Sequence, residues 1–310
     1  VNVQGPTLSH QLTFYDDVDG FLASTMPFIR EGLEADEPIL IALGSRKTEL
    51  LRGELGPDSG RAAFADIEGF GLNPARIIPA WQDFVDSNAL DESGIRGIGE
   101  PIWAGRRPAA VDECERHESL LNLAFGSVPR LALLCTYDRA SLDDDVLDAA
   151  LLSHPQLYVD GAAGANPDWD DHTPEPFAGA LPSPPLGAFE LGFDRDTLHA
   201  LRAAVGLEAA EAGLSEQRAA DLVLAASELA ANSVRYGGGS GTAAIWREPE
   251  SLVVEVRDGG RISDPMAGRV RPEPTQDHGR GLWVANQLCD LMQIRSGLGG
   301  THARLRMNLG

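Results

Sequence analysis

Apolar and polar positions follow two different rhythms along this chain. In the first half, short unbroken apolar runs alternate with segments of helical spacing. Pro38-Ile39-Leu40-Ile41-Ala42-Leu43 is one such run, stopped by Gly44, and Arg130-Leu131-Ala132-Leu133-Leu134-Cys135-Thr136-Tyr137 is another. Runs this short and this apolar read as strands buried on both faces. Helical spacing occupies Phe21–Leu33, Asn73–Asn88 and Val111–Phe125. Strands alternating with helices predict a parallel α/β sheet.

The second half is ordered differently. A strand at Ala188–Leu191 leads into two helices, over Asp194–Ala212 and Glu216–Tyr236. Adjacent strands follow at Thr242–Arg247 and Leu252–Asp258, then a long polar loop, Gly259–His278. A helix over Gly279–Leu291 and strands at Met292–Arg295 and Thr301–Met307 close the chain. Helices set apart from largely antiparallel strands predict an α/β sandwich.

Between the two patterns, Asn166 to Gly187 holds six prolines and two glycines. Proline fixes φ and donates no hydrogen bond, so such a stretch resists both helix and sheet. The expected organisation is a domain over 8–160, a Pro/Gly-rich linker over 161–187 and a second domain over 188–309. No internal repeat is visible.

Composition narrows the class of partner. The chain has 310 residues and a formal net charge of -22. A phosphate backbone requires clustered Lys and Arg, so direct nucleic-acid binding is not expected. Lys47 is the single lysine; the other basic residues are arginine. With abundant Ala and Gly, this bias points to a high-GC bacterium of the actinobacterial kind. Cys114, Cys135 and Cys289 are scattered rather than paired, which suits a reducing compartment. With no secretory signal pattern and no apolar run long enough to span a bilayer, the expected location is cytoplasmic, away from the membrane.

Definite chemistry is concentrated near the C-terminus. Glu228-Leu229-Ala230-Ala231-Asn232 places a carboxylate and an amide four residues apart on one helical face. Both offer hard oxygen donors of the kind Mg²⁺ accepts. Asp258-Gly259-Gly260 ends a predicted strand, where a carboxylate can accept from an adenine amino group and glycine lets the backbone approach the base. Gly279-Arg280-Gly281-Leu282 opens the next helix, whose N-terminal amides favour a phosphate. Each piece alone has an ordinary structural reading: a surface pair, a turn, a tight helix start. Their order on the predicted elements is what points to a nucleotide.

These residues resemble the Bergerat-fold ATPases of the GHKL superfamily, in particular the anti-sigma-factor serine kinases. The asparagine box matches Glu228-Leu-Ala-Ala-Asn232-Ser-Val-Arg-Tyr-Gly, and the glycine boxes match Asp258-Gly-Gly260 and Gly279-Arg280-Gly281-Leu282. The closing Gly-Thr matches Gly300-Thr301. The resemblance implies ATP and Mg²⁺ as cofactors, with Asn232 holding the metal. It implies that Asp258 reads adenine with Thr301 in support, and that Gly279 and Gly281 cradle phosphates under a lid formed by Gly259–His278. It implies Glu228 as the base that takes a proton from a substrate serine. Two positions depart from the pattern. Ile262 stands where many members have a second glycine, and His302 follows Thr301.

The first domain holds two decoys. Gly44-Ser45-Arg46-Lys47-Thr48 follows a strand, but Ile41 and Arg46 occupy the glycine positions of a phosphate loop, leaving a strand–turn–helix junction. Cys114-x-x-His117, even with Cys135 near, lacks a second ligand pair at zinc-like spacing, and packing is the simpler reading. The domain also resembles the MEDS sensory domain. The matching segments are His10-Gln-Leu-Thr-Phe14-Tyr15, Pro27 to Leu33, Ile98-Gly99-Glu100-Pro101-Ile102-Trp103 and Glu115 to Phe125. That resemblance implies a degenerate RecA-like α/β domain that senses a small ligand. Glu100, His117, Glu118 and Asn122, polar groups in apolar segments, are the candidate sensor pocket, with a buried hydrogen-bonded network as the alternative.

The reading with most support is a regulator of transcription. It binds ATP·Mg²⁺, sequesters a sigma factor and phosphorylates a serine on a STAS-domain anti-anti-sigma protein; homodimerisation is expected from the family. A non-catalytic switch, in which ATP only orders the lid and partners exchange, is the alternative, mildly favoured by Ile262. A histidine kinase fits less well, because His199 has no long helical hairpin ahead of it. An enzyme of small molecules in the first domain has no nucleophile–base pair in the sequence to support it.

Overall fold

The computed structural model describes residues 8–88, 93–170, 175, 177–272 and 279–309. The chain divides into two compact units, Val1–Pro174 and Glu175–Gly310. The division falls inside the Pro-rich stretch.

In the first unit the strands are β1 (Ser9–Tyr15), β2 (Ile39–Leu43), β3 (Ala63–Asp66), β4 (Ile95–Gly99), β5 (Leu131–Asp138), β6 (Gln156–Val159) and β7 (Ala162–Ala165). They form one sheet in the order β3-β2-β4-β5-β1-β6-β7. All neighbours from β3 to β6 are parallel, and the β6·β7 hairpin is antiparallel. Residues 162–165, assigned to the linker by their sequence, are thus strand β7. Asn166 behind it is buried, its amide donating to Leu151 O (2.7 Å) and His154 O (2.8 Å).

The helices of this unit are α1 (Val18–Glu34), α2 (Ser45–Leu55), α3 (Ile67–Phe70), α4 (Ile77–Asn88), α5 (Pro108–Phe125) and α6 (Asp144–Ser153). Every residue of β2 is buried, as expected for a parallel strand covered on both faces. The segment predicted as one helix over Asn73–Asn88 begins instead with a 3₁₀ turn, Pro74–Arg76. Asn73 caps that turn by accepting from Ala75 N at 3.2 Å. One apolar cluster joins Phe21, Phe28, Ile29, Ile41, Leu43, Leu51 and Leu134.

The second unit contains β8 (Phe189–Asp194), α7 (Leu198–Glu211), α8 (Glu216–Tyr236), β9 (Ser240–Glu248), β10 (Ser251–Asp258), α9 (Arg280–Leu288), β11 (Leu291–Gly297) and β12 (Gly300–Asn308). The sheet is antiparallel throughout, in the order β11-β12-β10-β9-β8. α7 starts at Leu198, later than its apolar pattern suggests. Asp194 first closes a tight turn, accepting from Asp196 N (3.0 Å) and from Thr197 N (3.0 Å) and Oγ1 (2.7 Å).

α8 turns Leu222, Ala225, Ala226, Leu229 and Ala230 into the core, where they meet Val254, Val256, Ala303 and Leu305 from the sheet. Ser215 caps the helix at its start. With one stripe buried, Glu228 and Asn232 emerge on the flank, partly exposed. No helix among the described residues is long and apolar enough to cross a membrane.

Candidate functional sites

In the second unit, the groups picked out by the sequence gather around the start of α9. Gly279 has a left-handed backbone, φ 86°, and serves as N-cap without a side chain. Gly281 follows two residues later, against α8. A Cβ there would stand 2.7 Å from Glu228 Oε2 and 3.1 Å from Asn232 Nδ2. The helix start and these two side chains therefore share one small space that any side chain at 281 would invade. N–H groups of a helix start, a carboxylate and an amide in one cradle fit a phosphate with its cation.

Asp258, the last residue of β10, pairs across the sheet with Thr301 of β12. Its carboxylate is fixed at both oxygens. Oδ1 accepts from Gly260 N at 2.7 Å and Oδ2 accepts from Ser233 Oγ at 2.6 Å. Each oxygen keeps a second lone pair for a ligand donor. A Cβ on Gly237 would fall 2.4 Å from Asp258 Cγ, so glycine at that position lets α8 end against the carboxylate. Thr301 Oγ1 donates to Gly260 O at 3.0 Å and lies 2.7 Å from Ser296 Oγ. Ser296 Oγ in turn accepts from Ile262 N at 2.9 Å.

Asn232, Asp258, Gly260, Gly279, Leu282 and Thr301 line one cavity of about 140 Å³ together with Ser233, Tyr236 and Ile262. Glu228, Arg280 and Gly281 are not among its lining residues; Glu228 and Gly281 meet in the cradle just described. A cavity enclosing a whole ligand measures roughly 300–1,000 Å³. This one, at less than half the lower bound, holds only part of such a ligand. Ile262 is partly buried against the core rather than swinging free. Farther along the loop, Gly268 O accepts from Asn286 Nδ2 of α9 at 2.9 Å. Residues 273–278, including His278 at the end of the predicted lid, lie outside the described residues. His199 is exposed near the start of α7, with Nδ1 2.9 Å from Asp196 O.

In the first unit, a cavity of about 640 Å³ opens at the carboxyl ends of the parallel strands. Tyr15 ends β1, Gly44 follows β2, Glu100 follows β4 and Asp138 ends β5; all line it. Crevices at this edge of an open α/β sheet are the usual ligand sites of such folds. Lys47, from the segment that imitates a phosphate loop, crosses the cavity wall to Glu100, with Nζ 2.5 and 2.6 Å from its two carboxylate oxygens. Tyr15 OH donates to Glu100 at 2.5 Å. Burial raises the Glu100 carboxyl above its ordinary value despite the Lys47 charge.

The four residues predicted as a sensor pocket do not line one cavity. Glu100 faces the open crevice, whereas Glu118 and Asn122 of α5 enter a closed polar cluster. His10 Nε2 lies 3.1 Å from Glu118 Oε2 and His10 Nδ1 lies 3.1 Å from Asn122 Oδ1. His154 Nε2 is 3.1 Å from the same Glu118 oxygen, and Cys135 Sγ is 3.4 Å from both Glu118 Oε2 and His10 Nε2. His117, one position earlier on α5, is buried and outside this group, and Cys114 donates to Pro101 O at 3.3 Å.

Burial, with repulsion from His154, lowers the His10 pKa even against its bond to Glu118. Burial alone would raise Glu118, but the imidazoles around it hold its carboxyl well below the usual range. Cys135 is pushed well up by burial and by the Glu118 charge. His154, Ser233 and Ser296 carried no sequence signal. Their contacts to Glu118, Asp258 and Ile262 span 25 residues of chain or more, so only the fold brings them in.

Each unit matches a known family. The model of the MEDS domain (MEthanogen/methylotroph, DcmR Sensory domain) matches residues 9–155. That of the histidine kinase-like ATPase domain matches residues 193–307. No curated protein matches the chain. Among solved structures, the RsbU and RsbW domains of Rv1364c from Mycobacterium tuberculosis are similar at 24% identity and a TM-score of 0.31. That match covers 40% of this chain and 32% of the other, so the chain spans about a third of that relative. An ATPase domain of this family implies ATP binding. In this chain a MEDS sensory domain precedes a histidine kinase-like ATPase domain.

Proposed function

We propose that this protein is an anti-sigma-factor-type regulator that binds ATP·Mg²⁺ and phosphorylates a serine of a STAS-domain partner, under control of its MEDS domain. The observation that carries the reading is the shared cradle of Glu228, Asn232 and Gly281, set beside the doubly anchored Asp258. ATP supplies a transferable phosphoryl group and Mg²⁺ neutralises its charge. Asn232 offers an amide oxygen to the metal. The N–H groups at the start of α9 face the phosphates, and Asp258 accepts from the adenine amino group. Glu228 takes the proton from the serine hydroxyl as it attacks. Phosphoryl transfer is mostly positioning and charge stabilisation, so one well-placed carboxylate is a sufficient base.

The sigma factor and the STAS protein follow from the motif resemblance, as do the homodimer and the cytoplasmic location. The small ligand would enter the first unit at the crevice beside Glu100. Incubation with labelled ATP and the cognate STAS protein tests the activity. Glu228→Gln is expected to lower transfer by a factor of roughly 10²–10⁴ with nucleotide affinity kept, whereas Asn232→Ala loses both. Equal transfer by Glu228→Gln would remove the base from the mechanism.

A non-catalytic partner switch is the second reading. It is favoured by Ile262, which is tied to Ser296 and packed on the core where a mobile lid would begin with glycine. It predicts tight nucleotide binding and partner exchange with no phosphoprotein formed.

A further inference from the structure

The closed cluster in the first unit has the composition of a metal centre. His10 of β1, Glu118 of α5, Cys135 of β5 and His154, just after α6, bring their ligand atoms within 4.8 Å of one another. All four side chains are buried, at 0%, 1%, 5% and 0% exposure. Four elements remote in sequence converge here, which random packing of an apolar core does not require.

Hydrogen-bond directions fix which imidazole nitrogen carries the proton. Ala150 O can only accept, so His154 Nδ1, 2.7 Å away, is the donor. Asn122 Nδ2 donates to Ser153 O at 2.8 Å, which turns its amide oxygen toward His10 Nδ1 and makes that nitrogen a donor too. With both Nδ1 atoms donating, the two Nε2 atoms converge on the single oxygen Glu118 Oε2, and in a singly protonated ring each presents a lone pair to it. His154 Nε2 lies 3.1 Å from that oxygen without hydrogen-bond alignment, and Glu118 Oε1 also has no hydrogen-bond partner among the described residues. Acceptors facing one another in a water-free interior are costly unless a cation stands between them.

We propose that His10, Glu118, Cys135 and His154 form a four-coordinate site for a first-row divalent cation, with Zn²⁺ the best fit. Tetrahedral coordination at about 2.0–2.3 Å separates neighbouring ligand atoms by about 3.3–3.7 Å. The observed 3.1 and 3.4 Å separations are close to that range. Imidazole with thiolate selects Zn²⁺ over Mg²⁺ or Ca²⁺. Thiolate, carboxylate and two neutral imidazoles cancel a dication's charge, so the buried site becomes neutral. Asn122 and Ala150 supply the outer hydrogen bonds that orient liganding imidazoles. With four protein ligands and no open position, the role is structural, tying β1, β5, α5 and the end of α6 together.

Co²⁺ is the spectroscopic probe, added to the full-length protein after chelator treatment. The expected result is one Co²⁺ per chain, with tetrahedral d–d bands and a thiolate charge-transfer band, displaced by Zn²⁺. Zn²⁺ should also raise the melting temperature of the first unit. Cys135→Ser should abolish the charge-transfer band and weaken binding at least tenfold, whereas Cys114→Ser and Cys289→Ser keep the band. Absence of stoichiometric Co²⁺ in the wild-type chain, or a spectrum lacking the thiolate band, overturns the proposal, even if the Cys135 variant does not fold. The ATP site lies in the other unit, so either result leaves its assignment untouched.

Discussion

Gly281 at the start of α9 lies so close to Glu228 of α8 that a single added carbon would stand 2.7 Å from Glu228 Oε2. The side chain that must yield is the far end of a flexible glutamate rather than backbone. Gly281→Ala should therefore fold with a stability change of only about 0.5 kcal/mol. It should weaken nucleotide binding about tenfold, or ~1.4 kcal/mol, because the displaced carboxylate and the new methyl group occupy the phosphate cradle. Displacement of a fluorescent ATP analogue, with a thermal melt alongside, checks both. Unchanged affinity would place the phosphates elsewhere.

Glu248 of β9 meets Arg306 of β12 through two contacts of 3.2 Å and accepts from Ser251 Oγ at 3.1 Å. Partial burial alone would raise its carboxyl, but Arg306 and Ser251 hold it below the ordinary 4.5. A carboxylate with a lowered native pKa contributes stability above its unfolded value and loses it as pH falls through the native one. The ATPase unit should therefore lose stability below about pH 4.5, with Glu248→Gln showing a shallower fall. Melting temperatures across an acid series in both proteins measure this; parallel curves would assign the acid sensitivity to other groups.

Lys47 holds the buried Glu100 at the mouth of the first unit's crevice. Removing the cation leaves an unpaired acid, so Lys47→Met should destabilise that unit by about 2–3 kcal/mol. Lys47→Met with Glu100→Gln should recover most of the loss. Denaturant melts of the two variants test the coupling. Because Lys47 is the single lysine of the chain, amine labelling located by peptide mapping, which separates it from the N-terminal amine, also reports on the crevice, and a bound ligand should protect it.

The two sites were legible to different degrees for a physical reason. Glu228 and Asn232 sit one turn apart on a single helix, and Asp258 and Gly279 lie at element ends, so local spacing carried most of the proposed ATP site. The pairing of Ser233 with Asp258, and the anchoring of Ile262 by Ser296, depend on strand register and were invisible. Cys114-x-x-His117 had local spacing suggestive of a metal and takes no part in the buried cluster. The real convergence joins residues 10, 118, 135 and 154, which share no short-range pattern.

The amino-acid pattern alone settles both fold classes, since apolar runs between helices suit a parallel sheet and helices set apart from strands suit a sandwich. It also determined the order of the nucleotide motifs, because each rests on a turn, a helix face or a helix start a few residues long. Whether a buried glutamate opens to a crevice, as Glu100 does, or closes into a core, as Glu118 does, is a matter of three-dimensional packing. Both are glutamates in apolar surroundings; what separates them is strand order. The carboxyl end of β4 meets the open edge of the sheet, and α5 packs Glu118 beside β1 and β5, where no water reaches it.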